Sequence, residues 1–423
     1  MKKYTKWAAG ALSLTLLSSL SMGQTIEAKE AKHHKKATPS AAVAKNVIVF
    51  IGDGMGMSHR EAIRLAYKGM NDDLEMNKMP VAGIVHTHST APVTDSAAAA
   101  TAMSNGVKTY NGAIGVDVNK KPVTSVLEMA KKAGKATGLV TTSQITDATP
   151  AAFGGAHVEN RKEQSKIANQ FLTKSKVDVM LGGGEDYWYP AGKKGAFADH
   201  PAKDQEEASK GTEGNLVNKA KKMGYNYVTS DKELKKAKGS KLLGLFANEE
   251  MFEQRPEGQG DEYKPVVPLP AMTKKALDTL SQNKKGFFLM VEEEGIDEMA
   301  HENNGKLMMK AGSKLDQSVK IAKDYAKKHK DTLVLVVGDH ECGGLTIEEV
   351  NNNDESGDGI SKEDGPFTVA HSKEKFILDW TTNSHGGQPV PLTAMGPGSG
   401  ALAGVYENTN IHKAIKQALH LKK

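Results

Sequence analysis

The chain has 423 residues, of which 38% are hydrophobic and 25% charged, with a formal net charge of +5 at pH 7. The proportions are those of an ordinary globular protein, and the small positive excess is spread along the chain, which excludes a nucleic-acid footprint and reads as a surface that mildly attracts anions. The single cysteine, Cys342, excludes an intramolecular disulfide and reads as a small buried residue.

The first segment is a targeting signal. Lys2, Lys3 and Lys6 precede an uncharged apolar run from Ala8 to Met22, and cleavage is expected after Ala28, with Gly23 a second position. The run is short for a membrane span of about 20 residues, and no later stretch is apolar and long enough to cross. We expect residues 1–28 to be a signal peptide, 29–45 a flexible basic segment and 46–423 a single catalytic domain, exported and either secreted or held at the cell surface.

Folded structure begins with Asn46–Ile51, an apolar β-branched run typical of a buried strand. Further strands are expected at Ala82–Val85, Ala136–Thr141, Val177–Leu181, Lys241–Phe246, Gly286–Glu292 and Thr332–Gly338. Helices are expected at Ser58–Tyr67, Val123–Lys132, Arg161–Thr173 and Met272–Leu280. Leu307, Ala311, Leu315, Val319 and Ala322 mark one apolar face of another helix. The alternation predicts an α/β fold, a central and mostly parallel sheet between helices. Asp186–Glu213 and Asn351–Gly365 read as surface insertions.

Residues suited to binding cations gather where these strands end, the expected place for a site in such a sheet. Asp53 sits among glycines in Ile51–Gly56, a pattern that serves a plain turn as readily as a ligand. Thr94–Ala102 places Asp95 or Ser96 at a helix start, either as an N-cap or as a hydroxyl facing exposed N–H groups that suit a phosphate. Thr149 offers a hard oxygen, and Arg161 a planar fork matched to phosphate. Glu292, Glu293, Glu294, Asp297 and Glu298 crowd the end of an apolar strand and would repel one another unless cations neutralised them. Asp297 and His301 share a helix face, so they can bind one metal. Asp339-His340 follows another strand, and His385 lies in a loop of small residues. A calcium-loop pattern at Asp354–Gly359 fails, because its twelfth position is Gly365. His86 and His88 alternate near the Ser96 segment, and Tyr187-Trp188-Tyr189 is open to a leaving group or a partner chain.

The ordered set IGDGMG, TDSAAAATA, DATPAA with a downstream Arg, LGGG, EGIDEMAH, GDH and SHGG resembles the bacterial alkaline phosphatases from Asn46 to about Lys416. The resemblance implies hydrolysis of phosphate monoesters at alkaline pH, through a phosphoserine at Ser96. It implies one zinc held by Asp297, His301 and His385, and a second by Asp53, Asp339 and His340. A magnesium would share Asp53 with Thr149 and Glu292. Arg161 would clamp the phosphate, oriented by Asp95, and the protein would be a homodimer acting on small phosphomonoesters. Glu298 departs from the Lys, His or Trp common in relatives, and Asp147 from a His. Two extra carboxylates there would favour tighter magnesium binding. A sulfatase is disfavoured because Ser96 is followed by Ala97-Ala98-Ala99. A phosphodiesterase or phosphomutase of the same superfamily, and a non-catalytic phosphate- or metal-binding module, are separated from this reading by rates on diesters and by Ser96→Ala.

Overall fold

The computed structural model describes residues 43–198, 208–252, 262–350 and 362–422, and in it each expected apolar run becomes a strand. In chain order the strands are β1 (Asn46–Gly52), β2 (Val81–His86), β3 (Ala136–Gln144), β4 (Val179–Gly183), β5 (Asn226–Val228), β6 (Leu242–Leu245), β7 (Phe287–Glu293) and β8 (Thr332–Gly338). They continue as β9 (Glu341–Cys342), β10 (Leu345–Glu348), β11 (Lys362–Thr368), β12 (Lys375–Trp380), β13 (His385–Gly386), β14 (Val390–Met395) and β15 (Gly404–Glu407). The helices are α1 (Met57–Tyr67), α2 (Ser96–Asn105), α3 (Val126–Lys132), α4 (Ala148–Phe153), α5 (Gln164–Gln170) and α6 (Leu216–Lys222). After them come α7 (Asp231–Lys236), α8 (Leu269–Leu280), α9 (Gly295–His301), α10 (Gly305–Lys328) and α11 (Thr409–Ala418).

Ten strands form one sheet in the order β15-β2-β14-β8-β1-β7-β3-β4-β6-β5. β14 runs antiparallel to both neighbours, and every other pairing in this sheet is parallel. β1 is buried along its whole length because helices cover both faces. Val47, Val49 and Ile51 enter one core, and Ile48 and Phe50 the other. Each such side chain contributes roughly 1.5–3 kcal/mol by leaving water, so the centre of the sheet is a rigid platform for the loops at its ends. α10 buries Ala311, Leu315, Val319 and Ala322 as their spacing predicts.

Three expectations change. The helix expected from Arg161 starts at Gln164, so Arg161 lies in a turn ahead of α5. The stretch from Asp186 is core at its start, since Asp186 and Trp188 are fully buried; residues 199–207 lie outside the described residues. Trp188 is therefore packed inside the protein and meets neither a leaving group nor a partner. Residues 351–361, including most of the rejected calcium-loop pattern, also lie outside, and 362–365 open β11. His88 leaves the site region to pair with Glu407 at 3.0 Å. The signal peptide and residues 29–42 lie outside the described residues, and Ala44 is anchored by its N–H to the Ala418 carbonyl at 2.9 Å. Among the described residues, no helix is long and apolar enough to cross a membrane.

Candidate active site

Four adjacent parallel strands, β8, β1, β7 and β3, end side by side at the middle of the sheet. The chain leaving each carries one part of the site. Asp53 follows β1, Asp339 and His340 follow β8, and Glu292 is the penultimate residue of β7, with Asp297 and His301 on α9. Asp147 and Thr149 follow β3 at the start of α4. His385 arrives from far along the chain, held by the short β9–β13 ladder that pairs it with Cys342. Gly54 has a left-handed backbone (φ 64°), and a Cβ there would collide with the Asp297 carboxylate, so only glycine lets β1 turn so close to α9.

Two clusters of metal-binding groups result. Asp53, Asp339 and His340 form an inner set, and Asp297, His301, His385 and Cys342 an outer one. In the inner set, His340 Nε2 lies 3.3 Å from both Asp53 Oδ1 and Asp339 Oδ2. In the outer set, His301 Nε2 lies 3.1 Å from Asp297 Oδ2 and 3.1 Å from His385 Nε2. The His340 and His385 rings stack at 3.7 Å, bridging the two sets. Ser96 Oγ stands 3.2 Å from His340 Nε2 at the first turn of α2. The helix is capped by Asp95, whose Oδ1 accepts from the Ala98 N–H at 3.0 Å. Ser96 is thus left with its hydroxyl facing the inner set and the helix N–H groups at its back. Asp95 Oδ2 lies 3.6 Å from Arg161, which also donates to both oxygens of Asp147 at 3.0 and 2.9 Å.

The electrostatics call for cations. Burial, then the charges of Asp339 and Asp297, pushes the Asp53 carboxyl well above its usual value. Burial raises Glu292 to about 8, despite the Thr141 hydroxyl that donates to it at 2.6 Å. Burial alone would raise Asp297, but the imidazoles of His301 and His385 hold it well below the usual range. The same pairing lifts His301 to about 9 against the opposing effect of burial. Asp53 Oδ1, Asp297 Oδ1, Asp339 Oδ2, Glu292 Oε1 and Thr149 Oγ1 are all buried, and apart from the approach of His340 Nε2 to Asp53 and Asp339 none has a well-directed hydrogen bond. An uncompensated buried carboxylate costs several kcal/mol, so these orphaned oxygens fit bound cations. The nitrogen-and-oxygen sets suit zinc, and the all-oxygen group of Asp53, Thr149 and Glu292 suits a harder ion such as magnesium.

A family model described as alkaline phosphatase matches residues 44–375. This chain belongs to the alkaline phosphatase family. Alkaline phosphatase 4 of Bacillus subtilis is 36% identical, with 95% of this chain and 93% of the relative covered. The Escherichia coli alkaline phosphatase is 34% identical over 90% of this chain and 87% of its own. The structure of the alkaline phosphatase from the Antarctic bacterium TAB5 superposes with a TM-score of 0.71 at 30% identity, covering 90% of this chain and 100% of that one. The protein is therefore a metal-dependent enzyme that hydrolyses phosphate monoesters.

In this phosphatase, the inner set meets Ser96 through His340, the outer set stacks on it through His385, and Arg161 reaches Asp95 and Asp147 from its turn. Asp147 engages Arg161 directly, besides facing Glu292. The acidic run after β7 divides. Glu292 enters the site, whereas Glu293 is held away by the hydroxyls of Thr142 (2.7 Å) and Tyr263 (2.5 Å). Glu294 turns toward Asp147, Glu298 and Glu250. Glu250 was not legible as part of this group, because it sits in an irregular loop after β6 and only tertiary folding brings it near. Burial, and then the charges of Glu298, Glu249 and Asp147, helps hold it at about 8.

Proposed function

We propose that Ser96 is the nucleophile of this phosphatase, with zinc at the inner and outer positions and magnesium at the third. Support comes from one observation: the buried carboxylates of Asp339, Asp297 and Glu292 crowd about Asp53, and Asp53 and Asp339 share His340 Nε2 with the Ser96 hydroxyl. A solved relative, the His 135 Asp mutant of the TAB5 enzyme, is described with Mg bound in its M3 site. Bound cations would neutralise the phosphate dianion and stabilise the attacking and leaving oxygens.

This chain's own residues do the positioning. The α2 N-terminus and the Arg161 guanidinium face the phosphate oxygens, and Asp95 and Asp147 fix the guanidinium plane. Ser96 Oγ attacks phosphorus as its proton passes to water, and the phosphorus–oxygen bond to the alcohol breaks, the leaving alkoxide taking a proton from water. Water then hydrolyses the serine ester, releasing phosphate and restoring Ser96. Positioning and charge compensation, rather than covalent assistance, carry most of the rate in such phosphoryl transfers. We further propose that residues 46–423 form one catalytic domain, that the protein is a homodimer as the family resemblance implies, and that residues 1–28 direct its export.

The test is hydrolysis of a chromogenic aryl phosphate by the mature chain across pH, with and without chelator, zinc and magnesium. We expect an alkaline optimum, abolished by chelator and restored by zinc with magnesium, and a phosphate label trapped on Ser96 by acid quench. A label on another residue, or none with full activity, would remove Ser96 from this role.

A further inference from the structure

Cys342 lies among the groups of the outer metal position. The β9–β13 ladder pairs it directly with His385, which sets their Cβ atoms about 4.5–5.5 Å apart. Its N–H donates to the Gly54 carbonyl at 3.1 Å, and the Gly343 N–H to the Ser384 carbonyl at 2.9 Å, so the backbone fixes where the thiol points. Asp297, His301, Cys342 and His385 each offer one ligand atom, and those four atoms lie within 4.8 Å of one another. A second observation concerns the carboxylate that the thiol faces. Asp297 is 4% exposed, and its Oδ1 has no hydrogen-bond partner. That oxygen faces the Cys342 side, because a Cβ built on Gly54 would strike both Asp297 Oδ1 and Cys342 Cβ. A bare carboxylate oxygen beside a buried thiol and two imidazole nitrogens is an arrangement that a cation completes.

We propose that Cys342 is a fourth protein ligand at the outer position, making it an oxygen, nitrogen and sulfur site for a thiophilic divalent cation. The inference rests on reading Asp297, His301 and His385 as ligands of one cation. On binding, the S–H bond breaks and the proton leaves to solvent. The electron pair left on sulfur forms the bond to the cation, and nothing is oxidised or reduced. A sulfur ligand shifts preference toward zinc and cadmium and away from magnesium and manganese. The half-open His301, with 29% of its side chain exposed, leaves a path for exchange.

The single cysteine makes the test clean, since any thiolate signal must come from Cys342. The metal-free mature protein is titrated with cobalt(II) and followed by absorbance. Wild type should show a near-ultraviolet thiolate-to-cobalt band. Cys342→Ser and Cys342→Thr should lose it while keeping the visible ligand-field bands of bound cobalt. Cadmium should displace that cobalt at least about 10-fold less readily in both variants, the loss that even outer-shell partners produce. Wild type with ligand-field bands and no thiolate band overturns the role of Cys342 but leaves the other three ligands standing. No bound cobalt of any kind overturns both readings.

Discussion

The inner and outer metal positions share their chemistry but differ in access. The side chains of Asp53, Asp339 and His340 are 2%, 0% and 0% exposed, whereas those of His301 and His385 are 29% and 16% exposed. The inner set is supplied by β1 and β8, whose pairing at the sheet centre is covered on both faces. The outer set hangs on α9 and on the two-residue ladder of β9 and β13. On the proposed mechanism, the difference places the nucleophile and charge compensation against the core, and the leaving alcohol at the solvent-facing outer set.

The strongest way to break that comparison is to remove the nucleophile. Ser96→Ala should lower kcat on the order of 10³-fold or more with unchanged circular dichroism, and substantial remaining turnover would contradict its role. Next, Asp339→Ala and His385→Ala should separate under zinc titration of activity. His385→Ala should weaken zinc on the order of 10–100-fold and recover with excess zinc, because its position is open. Asp339→Ala should stay inactive, since it leaves a buried site short of charge. Equal recovery by both would mean that access does not distinguish them. Arg161→Ala should cut kcat/KM on the order of 10–100-fold and weaken inhibition by inorganic phosphate in parallel. Inhibition that stayed the same would place Arg161 away from the phosphate.

The third position sharpens the comparison through pH. In the metal-free protein Glu292 and Glu250 hold their protons up to about 8, whereas their ordinary value is 4.5. The folded state therefore binds more protons than the unfolded state between these values. Stability is greatest below the lower value and is lost as pH rises through about 8. Thermal melts from pH 5 to 8 should show this decline without metal, and magnesium should flatten it; an unchanged slope would count against a cation here. The smallest effect expected is that of Glu298→Lys, which should alter the magnesium requirement of activity through the charge facing Glu294 and Glu250. An identical magnesium titration would exclude that influence.

Much of the site was legible because its residues follow strands whose apolar runs are unmistakable. Asp53, Glu292 and Asp339 each come at or just after such a run, and a parallel sheet aligns those ends without further information. Arg161 was legible as a candidate, but not its turn, because the Glu163 N–H donates to the Asn160 carbonyl and the helix begins only at Gln164. The α11 face, with Ile411, Ala414, Ile415 and Ala418 buried, carries a helical spacing. Strands of two residues, as in β9 and β13, carry no periodicity at all.

The sequence by itself determined the buried parallel strands, the helices that cover them and the ligand chemistry at their ends, because those depend on local pattern and residue type. Only the tertiary structure decided which carboxylate of the run Glu292–Glu294 enters the site. It also brought Glu250 to the acidic group and set Cys342 beside His385. These outcomes depend on partners far away along the chain, such as Tyr263 and Thr142, 30 and 151 residues from Glu293. A chain segment cannot encode the position of a distant hydroxyl, and burial makes that position decide where a charge can rest.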